Sequence, residues 1–217
     1  MNVFSTMNAL LKKQHAIDDG DAGRPITLLA GAVACYIAYG LGAGFFQGGW
    51  TLAMALLKVP LIILGSLALC LPSLYVFTAL AGGDYSARAF ANIVAGFCGI
   101  AGLILVALVP VSWLFSVSTM SLAFVVWLHV FVWLTALFFG RQFLVNATGP
   151  GRKAIGIWLV ILFVVSLQMT TYVRPVLWRD SGEPLFAKEK KSFFTHFGDV
   201  VSWSLEPPAT PNSTTRR

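Results

Sequence analysis

Val59–Ala81 reads VPLIILGSLALCLPSLYVFTALA, an uninterrupted run without a single charged residue. About 20 apolar residues in a helix cross the hydrocarbon core of a bilayer, which is about 30 Å thick. A helix that is apolar on every side belongs inside a large core or inside lipid. A chain of 217 residues has no core large enough to hide several such helices. This stretch therefore decides the fold class: the chain is expected to cross a membrane as α-helices.

Working outward, four further stretches have the same character: Ile26–Phe46, Phe90–Phe115, Val117–Gly140 and Ala154–Val173. The whole chain agrees with them, at 57% hydrophobic and 11% charged with a mean hydropathy of +0.78. A soluble domain carries about 25% charged residues, so a water-soluble enzyme is excluded. The expected fold is an all-α polytopic membrane protein of about five transmembrane helices, with amphipathic interfacial helices at both ends. Gly49–Lys58 is apolar but short, and Lys58-Val59-Pro60 closes it. It reads as an interfacial or re-entrant piece, with a sixth crossing as the alternative. Pro60, Pro72 and Pro110 lie in or beside spans, where each frees a carbonyl and favours a kink.

The organisation follows. Residues 1–25 form an N-terminal interfacial segment, in which Val3, Phe4, Met7, Leu10 and Leu11 recur at helical spacing. Residues 26–174 form the transmembrane helical domain. Residues 175–206 form a C-terminal amphipathic segment, with Phe186, Phe193, Phe194, Phe197, Val201 and Leu205 on one face. Residues 207–217 are rich in Pro, Ser and Thr and read as a disordered tail. The formal charge is +6, but no dense basic arm concentrates it. Partners are thus expected to be membrane lipids and other integral membrane proteins or a second copy, and not nucleic acid. Positive-inside counting balances between the two sides and leaves the tails unoriented.

Cys35, Cys70 and Cys98 fall inside apolar stretches without CxxC spacing and read as small apolar residues, not as a disulfide or metal framework. No nucleophile elbow, phosphate loop, HExxH helix or paired carboxylate is present, and the chain is read as not being an enzyme. Gly40, Gly44 and Gly48 form two overlapping GxxxG repeats, spacing that lets helix backbones approach closely. They serve either a partner helix or another helix of the same chain. His129 is the histidine inside a span, in Trp127-Leu128-His129-Val130-Phe131. It could ligate haem iron or the magnesium of a chlorophyll-type pigment, with Met169 or Met120 opposite, or simply hydrogen-bond a neighbouring helix. Gln168, Thr171 and Arg174 share one face near the end of the last span, as a contact for a partner or a lipid phosphate or as helix-end snorkelling. Asp84 and Arg88, four residues apart, read as a local ion pair.

Leu57-Lys58-Val59-Pro60-Leu61, followed by Cys70-Leu71-Pro72-Ser73-Leu74-Tyr75-Val76-Phe77, resembles the second-span motif of an uncharacterised bacterial multi-pass membrane protein family. The likeness returns at Gln168-Met169 and Arg174-Pro175, spans roughly residues 51–197, and rests on about a dozen motif residues. That family is distantly similar to Yip-type membrane proteins. The resemblance implies about five spans, no catalytic site and a role in binding other proteins. Together these readings lead to a non-enzymatic scaffold or accessory subunit of a bacterial inner-membrane assembly. A small transporter or channel component is the alternative, and a haem- or pigment-binding subunit using His129 a further one.

Overall fold

A computed structural model of the chain describes residues 5, 24–44, 49–80, 82–83, 85–119, 121–148, 152–172 and 198. Among these residues there are six long helices and no strand: α1 (Arg24–Gly44), α2 (Gly49–Leu80), α3 (Ala87–Ala107), α4 (Val109–Ser118), α5 (Leu122–Thr148) and α6 (Arg152–Tyr172). Four of them, α1, α2, α3 and α5, are long and apolar enough to cross a membrane. In α6 the apolar portion is Ala154–Thr170. The fold is the all-α, multi-helix architecture expected of a polytopic membrane protein. Apart from residues 5, 24, 25 and 198, the expected interfacial segments at both ends lie outside the described residues, as does the whole 207–217 tail.

Local chemistry explains where the helices start and stop. Gly82 adopts φ +85° just past α2, a conformation that only glycine takes readily. Its N–H bonds the Ala79 carbonyl, and the Gly83 N–H bonds that of Thr78, each at 3.0 Å. This pair of bonds is the Schellman arrangement that closes a helix C-terminus. Ser86 then opens α3, its hydroxyl accepting from the Ala89 N–H at 3.1 Å.

Three boundaries differ from the sequence reading. Gly49–Lys58 is neither a re-entrant piece nor a sixth crossing: α2 runs unbroken through Lys58, Pro60 and Pro72. Val59 and Pro60 are buried against neighbouring helices, so packing overrides the proline's local penalty. The expected span Phe90–Phe115 is broken at Leu108, which has φ −91° and ψ −3°. Pro110 follows at the second position of α4 and disfavours a continuous helix through Val109. Finally, the expected Val117–Gly140 helix begins later and runs on to Thr148. Thr119 is extended and ends α4, and the Ser121 hydroxyl accepts from the Phe124 N–H at 3.4 Å as α5 begins. Gly140 does not stop the helix. A Cβ there would meet the Phe97 ring at 2.5 Å, so its smallness serves packing.

The helices pack around α3, which lies at the centre. Its apolar window is 67% buried, whereas that of α5 is 22% buried. Tyr36, Tyr39, Ile62, Ile93, Leu144 and Trp158 are among the side chains sealed inside. Outside, Leu69, Val117, Phe131 and Val160 are each more than 60% exposed. Apolar exposure on this scale is costly in water and ordinary in lipid.

Candidate functional site

Two groups of residues deserve comparison, the glycine face of α1 and the buried polar residues that include His129 on α5 and two serines on α4. On the first, a Cβ at Gly40 would lie 2.7 Å from the Ala55 carbonyl oxygen and 3.4 Å from the Leu56 Cα. Gly44 is buried as well, and Gly48 lies outside the described residues. Gly40 therefore brings α1 onto α2 of the same chain, and this part of the repeat is not left open to another protein. Further glycines that the spacing argument missed do similar work. Gly102 sits against Ala32, Cys35 and Tyr36, Gly42 against Val109, and Gly96 against Phe143. Large residues and glycines alternate across these seams, a pattern readable only when the facing helix is known.

The α1–α3 and α2–α6 seams satisfy their polar groups internally, as lipid requires. Tyr36 Oη donates to the Cys98 carbonyl at 2.9 Å. Trp158 Nε1 donates to the Cys70 carbonyl at 2.9 Å. Ser166 Oγ donates to Ser66 Oγ at 2.8 Å, and Ser66 Oγ donates on to the Ile62 carbonyl at 2.7 Å. Tyr85 reaches from the α2–α3 turn to the Thr148 carbonyl at 2.8 Å, tying that turn to the end of α5. Asp84, its expected companion in an ion pair with Arg88, lies outside the described residues. The three cysteines are free thiols, two of them buried and Cys35 half-buried, in the small apolar role expected of them. Among the described residues, no cluster of three or more His, Cys, Asp or Glu side chains could hold a metal ion.

His129 behaves differently. Its Nδ1 lies 2.6 Å from Tyr39 Oη, with the two rings edge to face at 5.7 Å between centroids. Donor and acceptor roles across this contact follow the imidazole tautomer. The other ring nitrogen, Nε2, is buried and has no partner. Ser112 and Ser116, one turn apart on α4, are 0% and 4% exposed, and both hydroxyl oxygens are likewise unpartnered. They are the buried residues of α4, while Val111, Trp113, Leu114, Phe115 and Val117 face outward. Each unpaired buried polar group destabilises the fold by about 1–3 kcal/mol. Asn92, toward the other end of α3, is also buried with both amide atoms unpartnered, but it stands apart from this group.

Of the sequence candidates, the structure thus joins Gly40 to α2 and His129 to Tyr39. The Gln168, Thr171 and Arg174 contact falls largely outside the described residues. Gln168 is exposed on α6, the Thr171 side chain is not described, and Arg174 lies outside the described residues. Sequence reasoning missed Tyr39, Ser112 and Ser116. A tyrosine in the middle of a span, away from the interfacial belt, needs a partner for its hydroxyl, and that signal was available. A cavity of about 50 Å³ lies beside the site, lined by Tyr36, Phe97, Cys98, Trp133, Leu162 and Ser166 among others. No family model, curated protein or solved structure matches the chain.

Proposed function

We propose that the chain is a non-enzymatic accessory or scaffold subunit of a larger assembly in a bacterial inner membrane, acting through its outward helix faces. One observation carries this reading: of the four helices long enough to cross a membrane, α5 is the least buried within its own chain, and its bare face is densely aromatic. Phe124, Trp127, Phe131, Phe138 and Phe139 are all exposed there, and Trp113 and Phe115 of α4 continue the surface. Aromatic side chains supply large, rigid contact area with few rotatable bonds to immobilise. The Phe138 and Phe139 rings already pair edge to face at 5.7 Å. The interior lends no comparable support to the transport reading. Its buried polar residues, among those described, are uncharged Ser, Thr and Asn.

The test is site-specific photo-cross-linking in native membranes, with the probe placed at position 131 or 138 on the bare face and at position 80 on exposed α2 as a control. Cross-links from 131 and 138 to one defined membrane protein, which also co-purifies stoichiometrically in mild detergent, are the expected result. Cross-links to lipid alone from all three positions, with the chain recovered by itself, would overturn the reading.

A further inference from the structure

The cavity of about 50 Å³ is walled by five helices: Tyr36 of α1, Ile63 of α2, Phe97 of α3, Ala136 of α5 and Leu162 of α6 all line it. Each of these residues lies at or within two positions of the midpoint of its helix. In a bundle that crosses a bilayer, the cavity therefore sits near the midplane, about 15 Å from either edge of the hydrocarbon. The hydroxyls on its wall are already engaged. That of Tyr36 donates to the Cys98 carbonyl at 2.9 Å, and that of Ser166 to Ser66 Oγ at 2.8 Å. The surface left facing the cavity is almost wholly apolar. A buried water needs about two to four polar partners, and a charged headgroup needs compensation that this wall does not offer.

The helices around the cavity are not joined equally. α6 is held to α2 by the Ser166–Ser66 and Trp158–Cys70 bonds. α5 is held to α3, where Phe143 covers Gly96 and Phe97 covers Gly140. Although consecutive, α5 and α6 touch each other sparsely, and both line the cavity. The cavity is not sealed, and this is its loosest wall. Trp133 and Leu137, the α5 lining residues beside Ala136, are half-buried, and their neighbours Leu134 and Phe138 are exposed. Outside that wall, at the depth of the helix midpoints, lie the methyl ends of acyl chains. A cavity that admits a benzene ring measures roughly 150 Å³, so a space of about 50 Å³ takes a chain end and refuses a ring. We propose that the cavity seats the terminal methyl segment of a bilayer phospholipid's acyl chain, inserted between α5 and α6 and packed against Phe97, Ala136 and Leu162. The chain end supplies the dispersion contacts that a void denies its lining. The inference needs only a bilayer around the helices and is independent of the subunit reading above.

The test uses the full chain in phosphatidylcholine nanodiscs. They contain a phosphatidylcholine with a diazirine either at the methyl end of one acyl chain or next to its ester. After irradiation, labelled residues are located by mass spectrometry of peptides. The methyl-end probe should label Ala136, Leu137 or Leu162, as well as Val160, which is 63% exposed on α6. The ester-end probe should label none of the three lining residues. Ala136→Phe fills the cavity and should reduce labelling of Leu162 about tenfold, with Val160 unchanged, because an overpacked space leaves no room for a chain. Ala136→Val, with a smaller reduction, serves if the first variant folds poorly. The proposal is overturned if the methyl-end probe labels Val160 and no lining residue, if the ester-end probe labels the lining residues equally, or if a folded variant is labelled at Leu162 as strongly as the parent.

Discussion

The α1–α3 seam and the α4–α5 seam are built from the same residue types and solve the membrane's polar problem in opposite ways. In the first, Tyr36 bonds the Cys98 carbonyl while Gly102 admits Ala32 and Cys35, so the backbones close and the Tyr36 hydroxyl is matched. In the second, Tyr39 bonds His129, but the far side of the imidazole and two serines stay unmatched. Because a buried unpaired group lowers stability, a chain that can satisfy one seam has the means to satisfy the other. The difference is that the Tyr36 hydroxyl has a partner, whereas the Ser112 and Ser116 hydroxyls have none.

The comparison can be broken first at the scaffold. Trp158 is fully buried between α2 and α3, bonds the Cys70 carbonyl and meets the Phe97 ring at 5.9 Å. Trp158→Ala should cost about 3–5 kcal/mol, read as a lower midpoint when the protein is unfolded by SDS in mixed micelles. Gly40→Ala should follow, at about 1–3 kcal/mol, because the new methyl meets the α2 backbone at Ala55, which cannot swing aside. The same titration reads it. If Gly40 instead served a partner protein, the purified chain would lose little stability while co-purification of the partner failed. Tyr36→Phe removes one satisfied hydroxyl and should cost about 1 kcal/mol. The smallest effect belongs to the α4–α5 seam, where Ser112→Ala removes a hydroxyl that bonds nothing and should leave stability unchanged or slightly higher.

Much of this architecture was legible in the sequence, for a simple reason. Hydrocarbon demands a long apolar helix whatever the neighbours are, so the run Val59–Ala81 announces itself. Helix ends were less legible. Pro60 sits inside α2 without breaking it, while Pro110 accompanies a break, and the two differ in tertiary packing and not in local preference. Gly140 looked like a terminator because spacing alone cannot show that Phe97 fills the place of its side chain. The candidate site was half visible. His129 stood out as a polar residue in an apolar span, but Tyr39 is ninety positions away, and two serines on an apolar stretch signal nothing until α4 is seen to turn them inward.

The most direct measurement compares Tyr36→Phe with S112A/S116A in one unfolding titration of the purified chain, without added ligand. Each variant deletes buried hydroxyls and nothing else. With the serines unmatched, Tyr36→Phe lowers stability by about 1 kcal/mol, while the double alanine variant matches or exceeds the parent. A loss of about 1 kcal/mol or more per serine would mean that both hydroxyls already have partners in the folded protein, and the two seams would then be alike.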